Sequence, residues 1–192
     1  MSNIVTQKAE LRGQALTKRD ALSPEDRAQA AETIAARAFP LAVAGKVVSG
    51  FMPLKSELNP IPLLRKLAEA GAQLALPAIA GRGSPLIMRA YVFGDELARG
   101  QWGIREPKPE AAEVAPDILL VPLAAFDRAG HRIGYGAGYY DMTIAALRAK
   151  KTITAIGLAF AAQEISAGPA TPRDEALDLV LTEREAIDLR KS

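Results

Sequence analysis

Three glycines at alternate positions, Gly134, Gly136 and Gly138, separate a strand-like run, Ile118 to Phe126, from a helix-like run, Tyr139 to Lys150. Glycine lets backbone N–H groups turn inward and approach a ligand closely. The start of a helix adds partial positive charge. Together they predict an anion cradle, most often for phosphate. Arg132 ahead of the glycines supplies a cation. Asp141 behind them supplies a carboxylate suited to magnesium. The spacing G-x-G-x-G is neither the dinucleotide-binding G-x-G-x-x-G nor the P-loop G-x-x-x-x-G-K-[ST]. The glycines alone are equally compatible with a tight strand-to-helix turn that binds nothing.

Other residues could join this chemistry. In the opening helix Lys8, Arg12 and Arg19 fall within roughly 40° of one another at about 100° per residue. They share a half with Ile4, Leu11, Ala15 and Leu22, so the cations are expected to face the protein body. Buried cations need anions, and a shared polyphosphate would supply them. The plainer alternative is that they snorkel from the edge of the apolar face. Asp178 interrupts the apolar run Leu177 to Leu181; inside a covered parallel sheet it calls for a cation or a metal, at an exposed edge for neither. Glu57 lies in the loop beyond a strand, where open α/β sheets place ligand contacts. Trp102, the single tryptophan, is either a stacking platform or a loop anchor. His131, the single histidine, reads as a solvated loop side chain.

The elements that must position these groups alternate. Helices are expected over Asn3 to Ala21 and from a Ser23-Pro24-Glu25-Asp26 start to Ala38. A strand at Lys46 to Met52 precedes a helix at Pro62 to Ala70, closed by Gly71. Ala72 to Ile79, Leu86 to Phe93, Leu119 to Phe126, Thr152 to Phe160 and Leu177 to Leu181 complete six strands. The pattern predicts one α/β domain over residues 1–192 with a mostly parallel sheet. Two long connections, Gly94 to Pro116 and Ala161 to Asp174, are of the kind that carries function.

Composition narrows the classes. At 192 residues and 49% hydrophobic, the chain can bury a sizeable core. A net charge of +2 does not indicate a nucleic-acid binder. The absence of cysteine excludes disulfides, thiolate metal sites and a cysteine nucleophile. Neither a signal-peptide core nor an apolar run of membrane-spanning length is present, so the expectation is a cytoplasmic protein without a membrane partner.

The sequence resembles the 5-formyltetrahydrofolate cyclo-ligase family, also called methenyltetrahydrofolate synthetase, over nearly its whole length. The resemblance is carried by Lys8-x-x-Leu11-Arg12, Gly103-Ile104-Arg105-Glu106-Pro107, the Phe126-Asp127 to Tyr139-Tyr140-Asp141 stretch, and Asp178-x-Val180-Leu181-Thr182-Glu183. It implies a three-layer α/β/α sandwich and a monomer that uses ATP and Mg2+ on 5-formyltetrahydrofolate. It implies ATP contacts from Lys8, Arg12, Arg132, Gly134, Tyr135, Gly136, Ala137, Gly138, Tyr139 and Tyr140. By the same resemblance Met52, Glu57, Trp102 and Tyr140 line the folate site, Asp141 and Asp178 hold magnesium, and Arg132 and Tyr140 are catalytic. Ala137 departs from the glycine or basic residue common there, and Met142 from the basic residue that often follows Tyr-Tyr-Asp. From the residues alone, two other readings stand: a small α/β enzyme acting on a sugar phosphate or CoA ester, and a non-catalytic nucleotide-binding module.

Overall fold

The computed structural model describes residues 3–190; residues 1, 2, 191 and 192 of the expected domain lie outside them. The elements in chain order are α1 (Asn3–Asp20), α2 (Pro24–Ala36), β1 (Val47–Ser49), α3 (Ile61–Glu69), β2 (Gln73–Ile79) and β3 (Leu86–Tyr91). There follow β4 (Leu97–Arg99), β5 (Arg105–Pro107), β6 (Ile118–Pro122), β7 (Ala125–Phe126), β8 (Arg132–Ile133) and α4 (Tyr139–Arg148). The chain closes with β9 (Thr154–Leu158), β10 (Leu179–Leu181) and β11 (Ala186–Asp188). Local chemistry sets several boundaries. The Ser23 hydroxyl accepts the Asp26 N–H at 3.0 Å, with Pro24 at the first helical position. Gly71, at φ +90°, turns the chain from α3 into β2.

Seven strands form one sheet in the order β11-β10-β9-β6-β1-β2-β3. The inner pairs β10–β9, β9–β6, β6–β1 and β1–β2 are parallel, and both edge strands are antiparallel. The fold is α/β with a mostly parallel central sheet, as the alternating pattern predicts. Alternate residues of β6 serve opposite faces. Ile118 and Leu120 join a cluster with Ile34 of α2 and Leu64 of α3; Leu119 and Val121 join one with Ile144 of α4. Among the described residues no helix is long and apolar enough to cross a membrane.

The structure departs from the expected strands in three places. The run to Phe126 breaks after Pro122, and Ala125–Phe126 leaves the sheet to pair with β8 instead. Proline has no N–H to extend the ladder. The long connection after Gly94 holds a second hairpin, β4–β5. An unexpected strand, β11, covers the β10 edge.

The parallel order reverses at β1. The chain moves from β1 to β2 on one side and later to β6 on the other. Ligands of open α/β sheets bind beyond the strand C-termini at such a switch point. Phe51 and Met52 after β1, Ile79 ending β2 and Pro122 ending β6 all face one cleft there.

Candidate active site

The cleft measures about 730 Å3. One wall is the glycine-rich loop and the start of α4. Gly136 (φ +99°) and Gly138 (φ +72°) take left-handed backbone that a Cβ would strain. Ala137, between them, has no positive φ, so alanine fits this cradle. Gly138 caps α4 without a side-chain hydrogen bond, leaving the first-turn N–H groups to a ligand.

Three cations reach this wall. Arg12 Nε donates to the Gly134 carbonyl at 2.6 Å, so α1 braces the loop directly. Lys8 Nζ meets Asp174 Oδ2 at 2.5 Å. Burial raises the Asp174 carboxyl, but hydrogen bonds from Lys8 and Thr171 outweigh it and hold the group below its ordinary range. Arg132, with its side chain 4% exposed, donates from Nη2 to Asp141 Oδ1 at 2.7 Å. Its Nε is buried and has no hydrogen-bond partner among the described residues. A buried guanidinium with an unused donor beside a glycine cradle is suited to an incoming anion.

Asp141 also accepts the Glu175 N–H on Oδ1 at 3.0 Å. Both bonds use one oxygen, which leaves Oδ2 for another partner. Among the described residues no cluster of three or more histidines or carboxylates forms a metal cage. Magnesium is commonly held by one or two carboxylates together with substrate phosphates, and Asp141 beside the anion cradle fits that use.

The opposite wall is apolar apart from two acids, Glu57 and Glu106. Glu57 sits in the loop after β1, where Lys55 takes φ 55°. Its Oε2 accepts the Leu54 N–H at 2.7 Å. Desolvation pushes the Glu57 carboxyl above its ordinary value, against the opposing pull of the Leu54 N–H, the Tyr135 hydroxyl and Arg19. The Tyr140 and Tyr135 phenols are pushed up too, by burial first and by Glu57 next. Both therefore stay protonated and can donate. Trp102 forms the tip of the β4–β5 hairpin at φ 56° and is 64% exposed. Its ring lies 6.0 Å from that of Tyr139. It overhangs the cleft rather than anchoring the loop in the core. Met52, Phe51 and Ile104 complete the apolar surface.

Lys8, Arg12, Met52, Glu57, Trp102, Arg132, Gly134 to Tyr140 and Asp141 all line this one cleft, although 133 positions separate Lys8 from Asp141 in sequence. Asp178 is the exception and corrects the expected metal pair. It lies just before β10, at the opposite end of that strand from the parallel C-termini, and does not line the cleft. Its Oδ2 accepts the Ala155 N–H at 2.7 Å and pairs with Arg148 at 3.0 Å. An acid at that end of the sheet satisfies a backbone N–H and a protein cation. Two cleft acids escaped the sequence reading, Asp174 and Glu106. Asp174 ends a connection flagged as functional by its length, and Glu106 lies within the Gly103-to-Pro107 segment. Neither spacing reveals that Glu106 would turn inward to accept the Ile79 N–H at 3.1 Å.

The site can hold a polyanion in the glycine and cation wall while a flat, largely apolar partner rests against Trp102 and Met52. The chain is also similar to known proteins over nearly its whole length. The sequence profile of the 5-formyltetrahydrofolate cyclo-ligase family matches residues 4–183. The 5-formyltetrahydrofolate cyclo-ligase of Mycolicibacterium smegmatis is 35% identical over 188 residues, covering 94% of this chain and 95% of that protein. The Escherichia coli K12 cyclo-ligase is 33% identical, covering 86% and 94%. The Aquifex aeolicus 5,10-methenyltetrahydrofolate synthetase structure superposes with a TM-score of 0.79 at 30% identity, covering 96% of this chain and 94% of that one. With cleft residues drawn from three of those segments, Lys8 to Arg12, Gly103 to Pro107 and Phe126 to Asp141, and the profile spanning nearly all of its length, this chain belongs to the 5-formyltetrahydrofolate cyclo-ligase family.

Proposed function

We propose that this protein closes 5-formyltetrahydrofolate to 5,10-methenyltetrahydrofolate at the expense of ATP, with magnesium. The observation that carries the reading is the single cleft in which an anion cradle faces an apolar wall that holds the half-buried Glu57. A formamide oxygen is a poor leaving group. In the proposed reaction that oxygen attacks the γ-phosphorus and ADP departs, giving an imidate phosphate. N10 then attacks the formyl carbon, loses its proton, and the carbon–oxygen bond breaks to release phosphate. No protein nucleophile is needed, which suits a chain without cysteine.

The protein's task is alignment and charge neutralisation. Lys8, Arg12 and Arg132 balance the phosphates, and the N–H groups around Gly136 and Gly138 cradle them. Arg132 is the cation best placed for the transferring group, because its Nε has no partner among the described residues and its position is fixed by Asp141. Asp141 would hold magnesium, which supplies further neutralisation of phosphate charge when bound. Tyr140 and Glu57 position the pterin and formyl end, and Trp102 and Met52 cover its flat face.

The test is direct. Purified protein with magnesium, ATP and 5-formyltetrahydrofolate should produce methenyltetrahydrofolate, read by its absorbance, and ADP in equal amounts. Neither ligand alone should turn over. Binding of both without product would indicate a regulatory module. ATP hydrolysis indifferent to folate would indicate another acceptor.

A further inference from the structure

Arg19 does not line the cleft, yet it is among the most deeply placed charges in the protein, 3% exposed. Its nearest carboxylate, Asp20, is 3.9 Å away and has a side chain 63% exposed. A guanidinium so placed must be held by other hydrogen bonds. Two are present. Arg19 Nε donates to Ser56 Oγ at 3.0 Å, and Nη1 donates to the Tyr135 hydroxyl at 2.6 Å. The guanidinium carbon also lies 5.8 Å from the Tyr135 ring centre.

These two partners belong to the two walls. Ser56 precedes Glu57 in the loop on the apolar side, and its hydroxyl in turn donates to Asp20. Tyr135 sits between Gly134 and Gly136 in the anion cradle. A hydroxyl that accepts from Arg19 keeps its own proton free to donate into the cleft. The planar fork of arginine can hold two acceptors in fixed relation, which a lysine cannot do.

We propose that Arg19 is a positioning residue that ties the glycine-rich loop to the Glu57 loop through Tyr135 and Ser56, so that occupation of the nucleotide wall organises the folate wall. The inference rests on the folate-and-nucleotide reading of the cleft. Coupling of this kind is reciprocal and is measured as a ratio of affinities.

The experiment is calorimetric binding of 5-formyltetrahydrofolate with and without a saturating non-hydrolysable ATP analogue and magnesium. Wild type is expected to bind the folate about tenfold more tightly with the analogue present. Arg19→Gln should reduce that factor to about twofold or less. Ser56→Ala and Tyr135→Phe each remove one tether while keeping the buried cation, and should lower the factor too; they carry the test if Arg19→Gln does not fold. A purely structural role would weaken both ligands yet leave the factor unchanged in all three variants, and that result overturns the proposal. Absence of coupling in wild type overturns it as well. A wild type that turns over the substrates but shows neither effect leaves the functional reading standing, whereas one that binds neither ligand removes both.

Discussion

Replacing Asp141 with asparagine tests the joint between the anion cradle and α4. The substitution keeps shape and one acceptor oxygen but removes the charge that faces Arg132 at 2.7 Å. Hydrogen bonds to charged groups contribute about 1.5–3 kcal/mol, against about 0.5–1.5 kcal/mol for neutral ones. The difference, about 1–2 kcal/mol, applies with little discount because the side chains are only 4% and 22% exposed. It stays below the roughly 3–5 kcal/mol for breaking a buried pair outright, since asparagine still accepts. For a chain of this size the melting midpoint should fall by about 2–8 °C. Turnover should suffer more. A loosened Arg132 alone accounts for about 5- to 30-fold at 1.36 kcal/mol per decade, and loss of the magnesium contact should carry the total to about 100-fold or beyond. The assay is methenyltetrahydrofolate formation over a magnesium titration, with thermal unfolding alongside. The half-saturating magnesium concentration should rise. Asp178→Asn is the control: its pair with Arg148 lies outside the cleft, so it should cost stability while sparing the magnesium dependence. A midpoint within about 1 °C of wild type, with unchanged activity and magnesium response in Asp141→Asn, would refute the reasoning.

Three further outcomes are expected. Lys8→Ala and Arg12→Ala should weaken ATP binding more than folate binding by calorimetry; a variant that loses only folate affinity contradicts the phosphate role of that residue. Glu57→Gln should lower turnover while raising the melting midpoint at neutral pH. Its carboxyl is pushed above the ordinary 4.5 in the folded state, so the ionised form costs stability above the folded value and nothing below about 4.5. The gain should therefore fade as pH drops through that window, and a gain that grows on acidification would reverse the sign. Trp102→Gly should leave the midpoint unchanged or slightly raised, because the ring is mostly exposed and glycine relieves a φ of 56° by about 1 kcal/mol. The same variant should raise KM for the folate several-fold; an unchanged KM would return Trp102 to a bystander.

The local periodicities determined much of this molecule. The glycines before a helix start defined the cradle, and the shared phase of Lys8, Arg12 and Arg19 defined which side of α1 faces inward. Both depend on bond geometry within a few residues, which the chain carries at every length scale. The alternation of helix and strand likewise determined a mostly parallel sheet. The run through Pro122 read as one strand because hydrophobicity persists across it, whereas strand partners depend on residues far away. Asp178 shows the limit most plainly. An acid amid apolar residues signals an unmet partner, but sequence does not say whether that partner is a metal, a main-chain N–H or Arg148. That was decided by the end of the sheet at which β10 begins. The turning inward of Glu106, the joining of Ser56 and Tyr135 by Arg19, and the meeting of Lys8 with Asp174 across 166 positions are decided in the same way. Such contacts are set by how the elements pack, and they have no period for a sequence to display.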